Sequence, residues 1–439
     1  MAIKYIRKSV EHYEYPQVSI FDDIKGEQLD SHLAFSARKD VILYIHIPFC
    51  CNNCIFCNYY KEGNFSRNTL FHYFQAIKRE LLKYTNFISS IRAIQFGGGT
   101  PTCIPLSYYN DLLSFIKDNF LYYSEISIES DIQHLRNQKV LASLNKLGIN
   151  RVSFGVQSLK NETRQILGLP YRKDALLKYI SDIVCSSKLD CNIDLMYNLP
   201  SQSPEDFICD IYDCFSAGIN CIDMYHLNAY PGTKIHRLLH DHRILSEYYS
   251  LNRQGAFYNA YKQLINDPHF FFCASNTISQ KLEKANPYIS MQLGAVDCWQ
   301  VGVGASARGF VGNVVYRNHG DINQYVSAVN NFGYGIRSLR ICSDLSRRQL
   351  VLMPNLLKKD ISNLELTKEH NNLINSLVAQ GILWKSGSTI NLNSDYYFYA
   401  GNVSFEFYTK NDCLLAQKIV MENYQKGLNM YNQDKMNMR

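Results

Sequence analysis

Val41-Ile42-Leu43-Tyr44-Ile45-His46-Ile47-Pro48-Phe49-Cys50-Cys51-Asn52-Asn53-Cys54-Ile55-Phe56-Cys57 decides how this chain is read: an apolar, β-rich run stops at a proline, and cysteines follow at once. Cys50, Cys54 and Cys57 have a C-x3-C-x2-C spacing on the loop that leaves the predicted strand. Three thiolates on one loop can ligate three irons of a 4Fe–4S cube and leave the fourth open to a ligand's amine and carboxylate. A second register exists, because Cys51, Cys54 and Cys57 read as the C-x2-C-x2-C run of a ferredoxin. That pattern needs a fourth cysteine followed by proline, and Lys61 stands in its place. Zinc with His46 as fourth ligand is another reading, although His46 lies inside the apolar run and off the usual spacing. Inert thiols are the remaining one.

Outward from this loop, residues 41 to 235 alternate short β-rich runs with amphipathic stretches, the pattern of repeated βα units and a parallel sheet. Strands are predicted at Val41–Ile47, Arg92–Phe96, Glu125–Glu129, Arg151–Gly155, Asn192–Tyr197 and Cys221–His226. Leu70, Phe74, Ile77 and Leu81 recur at helical spacing between the first two. Val140, Leu144 and Leu147 precede Gly148, and Phe207, Ile211, Cys214 and Phe215 precede Gly218, each glycine suited to a helix C-terminus. Six such units with right-handed crossovers curl into a partial (β/α)6, TIM-like barrel with its functional loops at the strand C-terminal ends. Residues 1–40 read as an N-terminal extension, 41–235 as the core barrel, and 236–335 as a barrel extension and connecting segment. Residues 336–415 read as a smaller α+β, winged-helix-like domain, and 416–439 as a polar tail that frays.

The chain has 439 residues, 46% hydrophobic and 19% charged, enough for a large core. Its formal net charge of +6 is scattered and not gathered into blocks, which argues against a nucleic-acid or membrane footprint. There is no apolar leader after the basic start and no long apolar run, so a cytoplasmic, soluble protein is expected. Most of the 14 cysteines sit among apolar neighbours, where a thiol acts as a small core residue.

Gly97-Gly98-Gly99-Thr100-Pro101 follows the second strand, where residues without side chains let backbone groups approach a ligand. By itself this is as readily a turn. Combined with Tyr44-Ile45-His46-Ile47-Pro48-Phe49-Cys50 and the cysteine spacing, however, it closely resembles the oxygen-independent coproporphyrinogen III oxidase family of radical S-adenosylmethionine (SAM) enzymes. The resemblance runs from about Ile42 to Thr233 and more weakly through 300–405. It implies a radical SAM barrel, with Cys50, Cys54 and Cys57 on the cluster and Cys51 spare. It also implies a SAM site formed by Tyr44, Gly97, Gly98, Gly99, Thr100, Glu129, Gln157, Asp194 and a turn containing Gly302 and Gly304. Each of these polar residues could otherwise be a strand-end cap.

What the resemblance implies chemically is a reduced cluster cleaving SAM to a 5′-deoxyadenosyl radical, fed by a flavodoxin- or ferredoxin-type donor, with one or two SAM molecules bound. Two departures bear on the substrate. Porphyrinogen-decarboxylating members carry another cysteine two residues after the third ligand, where Tyr59 stands here, next to Tyr60. An arginine usual after the fourth-strand Gln is replaced in Leu167-Gly168-Leu169. The aromatic pair is similar to the haem-utilisation branch, so the leading expectation is methylation and ring opening of haem or another tetrapyrrole. Oxidative decarboxylation of coproporphyrinogen III, a non-catalytic haem carrier, and class C methylation of a heteroaromatic natural product are the alternatives.

Overall fold

The computed structural model describes residues 15, 38–51, 54–241, 245–248 and 250–418; most of the expected N-terminal extension, and the tail from 419, lie outside them. Six strands arise from the predicted βα units: β1 Lys39–Ile47, β2 Ile88–Gly98, β3 Tyr122–Ser130, β4 Arg151–Gln157, β5 Asp190–Tyr197 and β6 Cys221–His226. They pair in parallel and in sequence order. Between them run the helices Arg67–Lys83, Ser107–Asn119, Gln138–Lys146, Lys173–Ser186 and Pro204–Ser216. The predicted helical stripes are the buried ones, Leu70, Phe74, Ile77 and Leu81 in the first helix and Phe207, Ile211, Cys214 and Phe215 in the last.

Alternation along the strands separates two faces. Leu43, Ile45, Ile94, Phe96, Ile126, Ile128, Val152, Phe154, Ile193 and Leu195 join the main core cluster under the helices. The opposite, inner face is polar. Gln95 Nε2 donates to Glu129 Oε1 (3.3 Å), Ser127 donates to Gln95, and Ser153 Oγ donates to Asp194 Oδ1 (3.3 Å). A parallel barrel normally fills its interior with branched aliphatic side chains, whereas this wall is polar and internally hydrogen-bonded.

Past β6 the parallel βα rhythm gives way to strands that pair mostly antiparallel. Residues 271–341 add β7 Phe271–Ala274, β8 Thr277–Ser279, β9 Trp299–Val303, β10 Arg308–Val311, β11 Val314–Asn318 and β12 Ile336–Ile341. The whole sheet has twelve strands, in the order β12-β11-β10-β9-β1-β2-β3-β4-β5-β6-β8-β7. β9 pairs with β1 in parallel, whereas β8 borders β6 antiparallel, so the sheet curls without closing into a complete barrel. The lower end of the inner face is sealed. Tyr288, on a short helix at Pro287–Gln292, packs on Ile42 and Ala93. Buried Arg151 binds Glu125 (3.1 Å), Asn192 (2.9 Å) and the carbonyls of Lys284 (3.1 Å) and Ala285 (3.3 Å). Among the described residues, these contacts cover the N-terminal end of the strands and leave the site to be sought at their C-terminal ends.

A second core, containing Leu350, Val351, Met353, Ile374, Leu377 and Ile390, belongs to helices at Leu345–Leu356, Lys368–Ala379 and Ala400–Glu406 and a three-stranded sheet. That sheet, β13 Lys358–Asp360, β14 Leu383–Ser386 and β15 Thr389–Leu392, has the order β13-β15-β14, the helix-and-wing arrangement expected from the sequence. No helix among the described residues is long and apolar enough to cross a membrane.

Candidate functional site

The cysteine loop is tied down at both ends. The Cys50 N–H donates to the Glu62 carbonyl (3.2 Å) and the Glu62 N–H to the Pro48 carbonyl (2.8 Å), which folds the loop back beside β1. The ends of β1 and β2 are stitched by Gly99 N–H to Ile47 O (2.9 Å) and Thr100 N–H to Phe49 O (2.7 Å). The Thr100 hydroxyl then lies 3.4 Å from Cys50 Sγ.

The loop sorts its thiols. Burial raises the Cys54 thiol above its ordinary value, and the neighbouring Cys57 and Cys50 sulfurs raise it further, so these three share one environment. Cys51 is exposed, and its side chain is the hydrogen-bond partner of Cys103, on the short turn after Thr100. Cys51 lies in a bend, and both it and Cys50 act on the Cys103 thiol, Cys51 the more strongly. Among the described residues no three donors converge closely enough to share a single metal ion. His46 turns away from the loop, with its Nδ1 3.1 Å from the Tyr44 hydroxyl.

The glycines differ from the loop expected for them. Gly97 and Gly98 are the last residues of β2, and what crowds them is protein. A Cβ on Gly97 would lie 2.5 Å from Glu129 Oε1 and 2.9 Å from Tyr44 Cε2. One on Gly98, whose φ is +117°, would lie 2.7 Å from the His46 ring, and one on Gly99 2.4 Å from the Phe49 carbonyl oxygen. Gly97 and Gly98 thus make room for Glu129, Tyr44 and His46 at the end of β2, and Gly99 lets the backbone of Phe49 and Ile47 approach. Glu129 accepts from the Gly98 N–H (2.9 Å), and removal from water raises its carboxyl above the usual range despite that bond.

Asp194 lies across the inner face on β5. Its carboxyl is pushed well up, by burial first and then by Asp223 and Glu129. Asp223 went unremarked in the sequence although its setting, Ile222-Asp223-Met224, repeats Ile193-Asp194-Leu195. The two aspartates are direct partners in the β5–β6 register, and burial brings Asp223 up to about 6. An acid within an apolar strand run was the available signal. Gln157 ends β4 at a bulge, with φ 66°, and its Nε2 would lie 2.3 Å from a Cβ on Gly155, so it folds back over the strand.

Gly302 and Gly304 do not form one turn. Gly302 is within β9, opposite Tyr44, where its backbone donates to the Tyr316 hydroxyl (2.9 Å) and accepts from it (3.0 Å). Only Gly304, with φ +99°, is in the turn, packed on the backbone of His46. The structure thus gathers Tyr44, Gly97–Thr100, Glu129 and the cysteine loop at the β1–β2–β3 ends, puts Asp194 and Gln157 on the adjoining strands, and keeps Gly302 behind Tyr44. Tyr59 on the cysteine loop and Tyr225 on β6 are 54% and 43% exposed, and the Tyr225 hydroxyl is pushed well up by removal from water first and then by Asp223, Asp194, Tyr59 and Glu129, so it faces the inner side of the strands.

Residues 44–208 match the Radical SAM superfamily. The chain is 31% identical over 214 residues to oxygen-independent coproporphyrinogen III oxidase of Escherichia coli K12, covering 46% of each chain. It is 26% identical over 214 residues to anaerobilin synthase of Escherichia coli O157:H7, covering 47% of each. The chain thus spans about half the length of these curated relatives. Among solved structures it resembles the Escherichia coli coproporphyrinogen III oxidase HemN, a radical SAM enzyme, with a TM-score of 0.73 at 19% identity, over 92% of this chain and 97% of that one. That likeness is one of fold.

Proposed function

We propose that this chain is a radical SAM enzyme, in which Cys50, Cys54 and Cys57 hold a 4Fe–4S cluster and the inner face above it binds SAM, a reading supported by the match of residues 44–208 to the Radical SAM superfamily. When bound, the reduced cluster supplies the electron that cleaves SAM. The observation that carries this reading is the placing of a recessed carboxylate, Glu129, against glycine backbone beside the three grouped thiols.

The chain's own residues orient the ligand. Glu129 offers an acceptor to an ammonium group, Asp194 to ribose hydroxyls or a cationic centre, and Gln157 an amide to the polar edge of the ligand. Tyr44 closes the wall beneath Glu129, and Thr100 holds the exit of Cys50. The sealed lower end excludes water from below, which favours radical chemistry over quenching. Glu129→Ala and Asp194→Ala are each expected to lower SAM affinity at least tenfold while iron and sulfide content stays at the wild-type level. Calorimetric titration with SAM and metal analysis check this, and unchanged affinity in both variants assigns the two acids to structure.

The substrate in this reading is a tetrapyrrole or another flat conjugated ring, methylated and opened, with reducing equivalents from a flavodoxin- or ferredoxin-type protein. Two exposed tyrosines at the mouth, Tyr59 and Tyr225, support it, since aromatic faces stack on planar rings. Tyr59 occupies the place where decarboxylating relatives carry a cysteine. Mass spectrometry of anaerobic reactions with reduced protein and SAM is expected to show a methylated, ring-opened product from haem, and no loss of carbon dioxide from coproporphyrinogen III. Efficient double decarboxylation overturns the substrate assignment.

A further inference from the structure

Glu80 lies on the buried side of the helix Arg67–Lys83, one residue before Leu81 in the apolar stripe, and is fully inaccessible. A carboxylate there needs several donors, and the fold brings them from far along the chain. Glu80 Oε2 accepts from the Tyr325 hydroxyl (2.6 Å), the Gly304 N–H (3.3 Å) and Asn318 Nδ2 (3.3 Å). Oε1 accepts from the Gly335 N–H (2.8 Å) and Asn318 Nδ2 (3.2 Å). These partners are neutral, so the group fixes directions and does not balance a charge.

The donors converge on one turn. Asn318 Nδ2 also donates to the Gly304 carbonyl (3.0 Å), and the Gly304 N–H is shared with the Tyr325 hydroxyl (3.1 Å). Two helical turns before Glu80, Tyr73 accepts from the Ala305 N–H (2.8 Å) and donates to the His46 carbonyl (2.7 Å). A Cβ on Gly304 would lie 2.6 Å from that same carbonyl oxygen. His46 packs on Gly98, and four residues later β1 delivers Cys50.

We propose that Glu80 is a positioning residue, which locks the Gly304–Ala305 turn of the C-terminal strands against the backbone of His46 and so sets the wall of the SAM site from which Cys50 departs. This rests on the SAM-binding reading above. In Glu80→Gln an amide NH2 replaces an oxygen that accepts, so Tyr325 or Asn318 must turn an acceptor toward it and give up a bond it now makes to Glu80 or to Gly304, while size and shape are retained. Tyr325→Phe removes a single donor and is the milder variant.

Two measurements test it: hydrogen exchange of the cluster-free protein, and SAM affinity of the cluster-loaded protein. Both variants should show faster exchange in segments 44–50 and 300–307, with the helices 107–119 and 173–186 unchanged. SAM should bind about tenfold more weakly in Glu80→Gln and a few-fold more weakly in Tyr325→Phe. Exchange that changes only near 335, or affinity equal to wild type in a variant with wild-type circular dichroism, overturns the proposal. If Glu80→Gln does not fold, Tyr325→Phe decides by the same two readouts. Wild-type protein that loads a cluster but binds no SAM instead sinks the reading of the site, and the exchange result then still judges the role of Glu80 in placing the turn.

Discussion

Cys50→Ala is expected to lose the cluster and to bring 5′-deoxyadenosine formation down to the level of a blank without protein, whereas Cys51→Ala keeps both. The two cysteines are neighbours with the same chemistry, so the difference must come from direction. Cys50 Sγ lies 3.4 Å from the Thr100 hydroxyl and in the same environment as Cys54 and Cys57. Cys51 faces Cys103 and solvent. Removing one of three thiolates leaves a second iron without a protein ligand, and such a site does not retain a cube. Removing Cys51 costs only its contact with Cys103. Iron and sulfide analysis of anaerobically reconstituted variants, with chromatography of the nucleoside product, reads both outcomes. A cluster kept by Cys50→Ala and lost by Cys51→Ala would show that the register is C-x2-C-x2-C.

Gly99→Ala is expected to detach the cysteine loop from the sheet. A Cβ there would lie 2.4 Å from the Phe49 carbonyl oxygen and 3.1 Å from that of Ile47. Both are backbone atoms, which cannot swing aside as a side chain can. They also accept the hydrogen bonds that join β1 to β2, so the strand ends must separate. Overpacking of this kind costs about 1–3 kcal/mol, and here the displaced residue immediately precedes Cys50. We therefore expect a lower unfolding midpoint together with loss of most of the cluster. Gly148→Ala is the control: its φ of +78° carries strain, but nothing lies within 4 Å of the added carbon. It should cost about 1 kcal/mol and leave cluster content unchanged. Equal cluster loss in both variants would trace the effect to general destabilisation.

Much of the core was legible because parallel strands and their covering helices are local patterns. Val41–Ile47 and Cys221–His226 are apolar runs of strand length, and Leu70, Phe74, Ile77 and Leu81 fall on one helical face whatever they pack on. The error at Gly97 and Gly98 has a cause. Glycine reads as a turn residue, yet here it extends β2 because Glu129, Tyr44 and His46 occupy the space of the missing side chains. Gly302 was misread for the same reason, its Cβ position being filled by the backbone of Arg308.

Read alone, the sequence carried the βα rhythm, the three thiols on a strand-end loop, and the acids near the end of β3 and within β5. These depend on residue type and spacing within a few positions, where covalent geometry dictates which side chains share a face. It took the folded molecule to join β9 to β1, to plug the lower end with Tyr288 and Arg151, to set Asp223 beside Asp194, and to bring Glu80 to a turn 224 residues away. Each of these is a pairing between distant segments, and such a pairing leaves no periodic trace in either segment. It is selected only when the chain has collapsed and every buried polar group must find a partner.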